Sequence, residues 1–200
     1  MTDNGQMVAS LLPVLTFLLP GAAGLLVLLF GRRQAMVRGG LTFLGLAATL
    51  LVSGLCAVRI LAGEVLTAWH MTICLDGLSV VMQVLGGLLA ALVAVYSIGF
   101  SRHDPRMGDF SYGRRSLYYG LILLFLATMN WTCSTNNIVM LWVSLEATTL
   151  AMTFLVTFYW RRESIEAGYK YLMLVAVGVG FALFGCVLVY SAGLAFLPGR

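Results

Sequence analysis

The chain has 200 residues, 60% of them hydrophobic and only 10% charged, with a mean hydropathy of +0.96, whereas an ordinary soluble domain carries about 25% charged residues. That composition excludes a water-soluble fold, and because a spanning helix takes roughly 20 apolar residues, it leaves no room for a large soluble domain beside the spans. The net charge of +4 is no sign of a nucleic-acid partner, since basic residues in a membrane protein first report orientation. Cys56, Cys74, Cys133 and Cys186 form no CxxC pair and His70 and His103 are far apart, so a metal or iron–sulfur site is not expected.

Apolar runs predict six spans at about 7–30, 41–61, 78–100, 117–133, 137–160 and 165–190, an all-α polytopic membrane protein in a single domain over residues 1–200. The first span follows no basic segment and ends at no small-residue cleavage site, so it is expected to be retained. Pro13 and Pro20 lie inside it and should bend it, provided that neighbours satisfy the carbonyls they free. Residues 63–77 form the longest connection on one side and 101–116 the longest on the other. Asp76 precedes the third span in the order Asp-Gly-Leu-Ser79 and reads as a helix N-cap. Small residues mark packing faces on the third helix (Gly86, Gly87, Ala90, Ala91) and the sixth (Gly178, Gly180, Ala182, Gly185). Trp69, Trp131, Trp142 and Trp160, with Tyr118, Tyr119 and Tyr190, read mostly as an aromatic belt at span ends. Cys74 and Cys133 fall near the same side and read as apolar packers rather than a disulfide.

The connections alternate in basic content. Arg32, Arg33, Arg38, Arg102, Arg106, Arg114, Arg115, Arg161 and Arg162 fall on one side, and only Arg59 and Arg200 on the other. By the positive-inside rule the arginine-rich loops are cytoplasmic and both termini face out, across a cell inner (plasma) membrane.

With the loops removed, two charges remain within spans. Glu146 is the one carboxylate near the middle of a span; a central charge costs on the order of 2.5–3.5 kcal/mol, so such a group normally faces a bundle interior or water and is a functional candidate. Thr149, Thr153 and Thr157 follow it at three, seven and eleven residues, within about 60° of its face. They read equally as a polar path toward the cytoplasm and as hydroxyls bonded to their own helix. Lys170, the one lysine, lies four residues after Glu166, an order that suits a local ion pair. In a straight hairpin Glu146 would lie about 20 Å and Lys170 about 8 Å from the cytoplasmic end, so any relay between them would run through water.

Two stretches match a known pattern: Trp142-Val-Ser-Leu-Glu146-Ala147-Thr148-Thr149-Leu150 and Glu166-Ala-Gly-Tyr-Lys170-Tyr171-Leu172. Over about residues 76–193 the chain resembles the hydrogenase-4 component F family, antiporter-like membrane subunits related to those of NADH:quinone oxidoreductase (complex I), formate hydrogenlyase and the multi-subunit cation/proton antiporters. The resemblance implies the N-terminal portion of a proton-translocating subunit with no redox cofactor of its own, working beside other membrane subunits of an oxidoreductase complex. It implies that Glu146 is the essential ionisable group, with Lys170 in the same charged axis. It also implies a core repeat that starts at about residue 117. Family members carry about fourteen helices arranged around inverted repeats, and the lysine helices that follow the sixth have no counterpart here. A truncated product, one piece of a split subunit and a non-conducting assembly subunit are therefore alternatives. No quinone or hydrogen site is indicated, and the sequence does not distinguish protons from sodium ions.

Overall fold

The computed structural model describes residues 6–31, 35–69, 72–103, 112–159 and 161–196. Six helices are long and apolar enough to cross a membrane: α1 (Leu12–Phe30), α2 (Ala35–Leu61), α3 (Gly77–His103), α4 (Tyr112–Ser134), α5 (Ile138–Val156) and α6 (Arg162–Phe196). A 3-10 turn, Thr157–Tyr159, closes α5. The polytopic fold is the one expected, with a small sheet added at one end.

The first helix begins later than the predicted residue 7, because Gln6–Ala9 form a strand, β1. Proline has no N–H to give and fits a helix only in the first turn; Pro13 stands there, so it does not bend the helix. β1 pairs in parallel with β2 (Glu64–Ala68), from Gln6 opposite Glu64 to Ala9 opposite Thr67, and β2 pairs antiparallel with β3 (Ile73–Leu75). An isolated bridge joins Ile73 to Thr135 at the end of α4. The connection at 63–77, expected to be a loop, is thus largely sheet. Its Leu66 and Leu75 are fully buried and pack on Cys56 of α2 and Val80 of α3.

Helices α1 to α4 form a closed antiparallel ring. Thr16 meets Asn130 at one end of the α1–α4 seam and Gly24 meets Gly120 further along it. A Cβ on Gly24 would lie 3.1 Å from the carbonyl oxygen of Gly120, and one on Gly120 3.2 Å from that of Gly24, so this seam depends on two glycines. Gly87 of α3 packs against Leu50 of α2, in keeping with a small-residue face there. The core joins Val27, Leu46, Ala94, Leu123 and Leu126, one or more from each of the four helices. Helix α5 leans on α4, and α6 leans on α5 and the 3-10 turn. Half of the most apolar stretch of α4 is buried, but none of that of α6, whose one buried described residue is Gly168 near its start; a Cβ on Gly178, Gly180 or Gly185 would meet no described group within 4 Å. The expected close packing on the sixth helix is therefore not made within the described residues.

Pro20 removes the N–H that would bond the carbonyl of Thr16, four residues earlier. Asn130 replaces it: its Nδ2 donates to the Thr16 carbonyl at 2.9 Å, with both residues buried. Asn130→Ala should cost about 1–3 kcal/mol by leaving a buried carbonyl bare. In a Pro20→Ala background, where residue 20 supplies its own N–H, the cost should be smaller. Thermal unfolding of the four proteins in detergent checks this, and equal costs in both backgrounds would show that Asn130 acts otherwise.

Candidate ion-translocation site

Helix α5 starts at Asn137, whose side-chain oxygen accepts from the N–H groups of Val139 (2.9 Å) and Met140 (3.3 Å), an N-cap that ends the α4–α5 turn. The buried Ser144 and Ala151 lie on the side that packs on α4. A second side, with Leu141, Trp142 and Leu145, faces Val179, Ala182, Leu183 and Cys186 of α6 across an apolar cavity of about 90 Å³. A third side, with Val143, Leu150 and Phe154, is exposed.

Glu146 stands at a border. It lies about 40° around the helix from Trp142 on one flank and about 40° from Leu150 on the other, and it is half-buried. No hydrogen bond or ion pair joins its carboxylate to any described residue. It therefore sits where the α5–α6 contact gives way to an uncovered apolar surface.

The threonines carry their protons elsewhere. Thr149 donates to the carbonyl of Leu145 (3.0 Å), Thr153 to that of Thr149 (2.8 Å) and Thr157 to that of Thr153 (3.0 Å). These are the bonds back to the helix that one of the two readings from the sequence expects. Each oxygen can still accept, but it relays a proton only after its hydroxyl rotates.

Lys170 is held by Glu166, Nζ to Oε1 at 2.6 Å, with the two side chains 67% and 60% exposed. Its direction follows from Gly168, where an added Cβ would fall 2.1 Å from the methyl of Thr157. That contact turns the Gly168 side of α6 toward α5, and Lys170, two residues on, lies about 160° away. Lys170 and Glu146 are thus not brought together; the lysine stands on the far side of its helix.

Asp76 caps α3 as expected: its Oδ1 accepts from the Ser79 N–H at 2.8 Å. The Ser79 hydroxyl, then its N–H, holds the carboxyl below its ordinary 3.8. Nearby Cys74 is pushed up, first by burial and then by the Asp76 charge, and all four cysteines are free thiols.

Other predicted roles change. Trp142 lines the α5–α6 cavity, Trp131 stacks on Phe17 (centroids 6.1 Å apart) and Tyr119 is buried beneath Arg38 (5.8 Å), so these three belong to packing rather than to a belt. Arg38, counted with a loop, is a buried residue of α2. Arg59 pairs with Glu64 at 3.6 Å. Arg32, Arg33, Arg106, Arg200 and Trp160 lie outside the described residues. Sequence reasoning passed over Gln83 and Asn130, although they are the only carboxamides within the third and fourth predicted spans.

Residues 135–194, which hold Glu146 and Lys170, match the family model described as NADH:quinone oxidoreductase/Mrp antiporter, TM; residues 67–111 match that of NADH-Ubiquinone oxidoreductase (complex I), chain 5 N-terminus. Both models describe membrane subunits of the antiporter and complex I type, and this chain is similar to them over those two stretches. A hydrogenase-4 component F homolog of Methylacidiphilum infernorum is 34% identical over 115 residues, which are 58% of this chain and 24% of that protein. NADH-quinone oxidoreductase subunit N of Dehalococcoides mccartyi is 34% identical over 117 residues, 58% and 23% of the two chains. A Na(+)/H(+) antiporter subunit of Alkalihalophilus pseudofirmus is 30% identical over 58% of this chain and 14% of its own. The fold matches a chain in the membrane-bound sulfane sulfur reductase, an archaeal respiratory membrane complex, with a TM-score of 0.73 at 19% identity, over 92% of this chain and 38% of that one. The matched stretch thus takes in about a quarter or less of each of these three relatives.

Because Asp76 binds its proton less tightly in the folded state, the cap's contribution is complete above the ordinary 3.8 and fades as the pH falls through the lowered value. Asp76→Ala should cost about 1 kcal/mol at pH 7 and Asp76→Asn less. Melting curves at pH 7 and pH 3 check this: the alanine cost should shrink at pH 3, and a cost that does not change with pH would remove the carboxylate from the cap.

Proposed function

We propose that this chain is part of a proton- or cation-translocating membrane subunit in a redox-driven or antiporter complex of the hydrogenase-4 and complex I type, with Glu146 as the group that takes up and releases the ion. The observation that carries this reading is the position of Glu146: a carboxylate within a membrane span, inside the segment that matches the antiporter model, with no partner among the described residues. Desolvation raises a carboxylate's proton affinity and a nearby cation lowers it. A cation on polypeptide outside α1–α6, covering the open side of α5, would load and unload Glu146 as it approaches and withdraws. Lys170, turned away from α5 and held by Glu166, serves in this reading as a fixed charge on the next interface of the axis. The redox chemistry belongs to other subunits. The arginine-rich loops are placed on the cytoplasmic side by the positive-inside rule.

A second reading, a non-conducting subunit that holds its neighbours together, is favoured by the three threonine hydroxyls bonded to their own helix. Glu146→Gln separates the two. Proton flux per assembled complex in reconstituted vesicles should fall on the order of 100-fold, as when a positioned proton-transfer group is removed, with assembly yield near wild type. Undiminished flux with a reduced yield would favour the assembly role.

A further inference from the structure

Away from Glu146, each helix of the four-helix ring brings a buried polar side chain to one level. Thr16 of α1, Ser53 of α2, Gln83 of α3, and Asn130 and Ser134 of α4 are each 1% exposed or less. Hydrogen bonds place three of the helices. Asn130 reaches the Thr16 carbonyl, and Gln83 Nε2 donates to the Ser134 hydroxyl at 2.8 Å and the Asn130 carbonyl at 3.3 Å. Register places the fourth. Gly45 of α2 packs on Ala23 of α1, and Leu50 packs under Gly87 of α3; in antiparallel pairs these set Ser53 opposite Leu15–Thr16 on one side and Gln83–Val84 on the other.

Two oxygens in this layer lack partners. The hydroxyls of Thr42 and Thr49, on the same helix as Ser53, donate to the carbonyls four residues back, but Ser53 Oγ does not. Gln83 Oε1 is equally unpartnered. Its amide cannot be reversed: Ser134 already donates its proton to the Asn130 carbonyl at 2.7 Å, so a reversed oxygen would face two acceptors. Gln83 lies about 60° from Gly86, which faces Leu126 of α4, and about 40° from Gly87, which faces Leu50 of α2. With its nitrogen turned to α4, its oxygen is left on the α2 side, where Ser53 stands. Both atoms are buried away from bulk solvent, and a buried polar group without a partner is costly.

We propose that one water molecule is held in this layer, accepting from the Ser53 hydroxyl and donating to Gln83 Oε1 and Thr16 Oγ1. The Thr16 oxygen is available because its own proton goes to the Pro13 carbonyl. Three such bonds are what buried waters typically make, and this one ties α2 into a network that already spans α1, α3 and α4.

Cys56 is fully buried one turn from Ser53 and reports on that water. Hydroxyl-radical footprinting of the full chain in its native complex, in nanodiscs and ¹⁸O-water, should transfer ¹⁸O to the Cys56 sulfur in wild type. The label should drop to background in Ser53→Ala and in Gln83→Leu, while labelling of Cys186 is unchanged. An unlabelled Cys56 in wild type would overturn the proposal without need of any variant, as would labelling that survives both substitutions. Labelling that disappears when sodium is replaced by choline would overturn it in favour of a bound cation.

Discussion

A proline inside a membrane helix strips one carbonyl of its hydrogen-bond donor, and lipid cannot replace it. In this chain the replacement comes from another helix: Asn130 of α4 donates to the Thr16 carbonyl that Pro20 leaves bare. Much of the fold rests on that bond. It sets the level at which α1 and α4 run past each other, and further along the same seam two glycines let the backbones meet. The Asn130 carbonyl then accepts from Gln83, which adds α3. A small sheet covers this end of the ring, burying Leu66 and Leu75 on α2 and α3.

The ring gives α5 a firm seat on one side only. From α4 outward burial declines, to a sixth helix in which Gly168 alone among the described residues is buried. This decline produces the setting of Glu146. A carboxylate at the centre of the ring would be desolvated on all sides, and one on the outer face of α6 would meet whatever surrounds the chain. At the edge of the α5–α6 contact it is half-buried and without a partner among the described residues, beside the exposed Val143, Leu150 and Phe154. Under the proposed function, such a group answers to a charge brought up by polypeptide outside the six helices.

The helices were legible in the sequence because run length and scarce charge are local properties, and Glu146 stood out for the same reason. The start of the first helix was not legible. Met7, Val8 and Ala9 read as apolar span residues until their pairing with Val65, Leu66 and Thr67 is known, and that pairing spans more than fifty residues of chain. The direction of Lys170 depends on one contact, Gly168 against Thr157, and no periodicity announces it. Gln83 and Asn130 were visible as lone carboxamides in apolar runs. Their meaning came from Pro20, which the sequence places on a different helix. The threonines show the opposite case: their spacing is a stripe on paper, and their hydroxyls are bonded along it, each to its own backbone.

In the proposed function, polypeptide outside α1–α6 covers the open side of α5 and completes the Glu146 site. A photo-crosslinking residue placed at Leu150, next to Glu146 on that side, tests it most directly in native membranes. The expected product is a protein adduct whose partner peptide lies outside the six helices, formed in the assembled complex and lost on its dissociation. Adducts to lipid alone would contradict it, because Glu146 would then border the bilayer and have no cation to answer to.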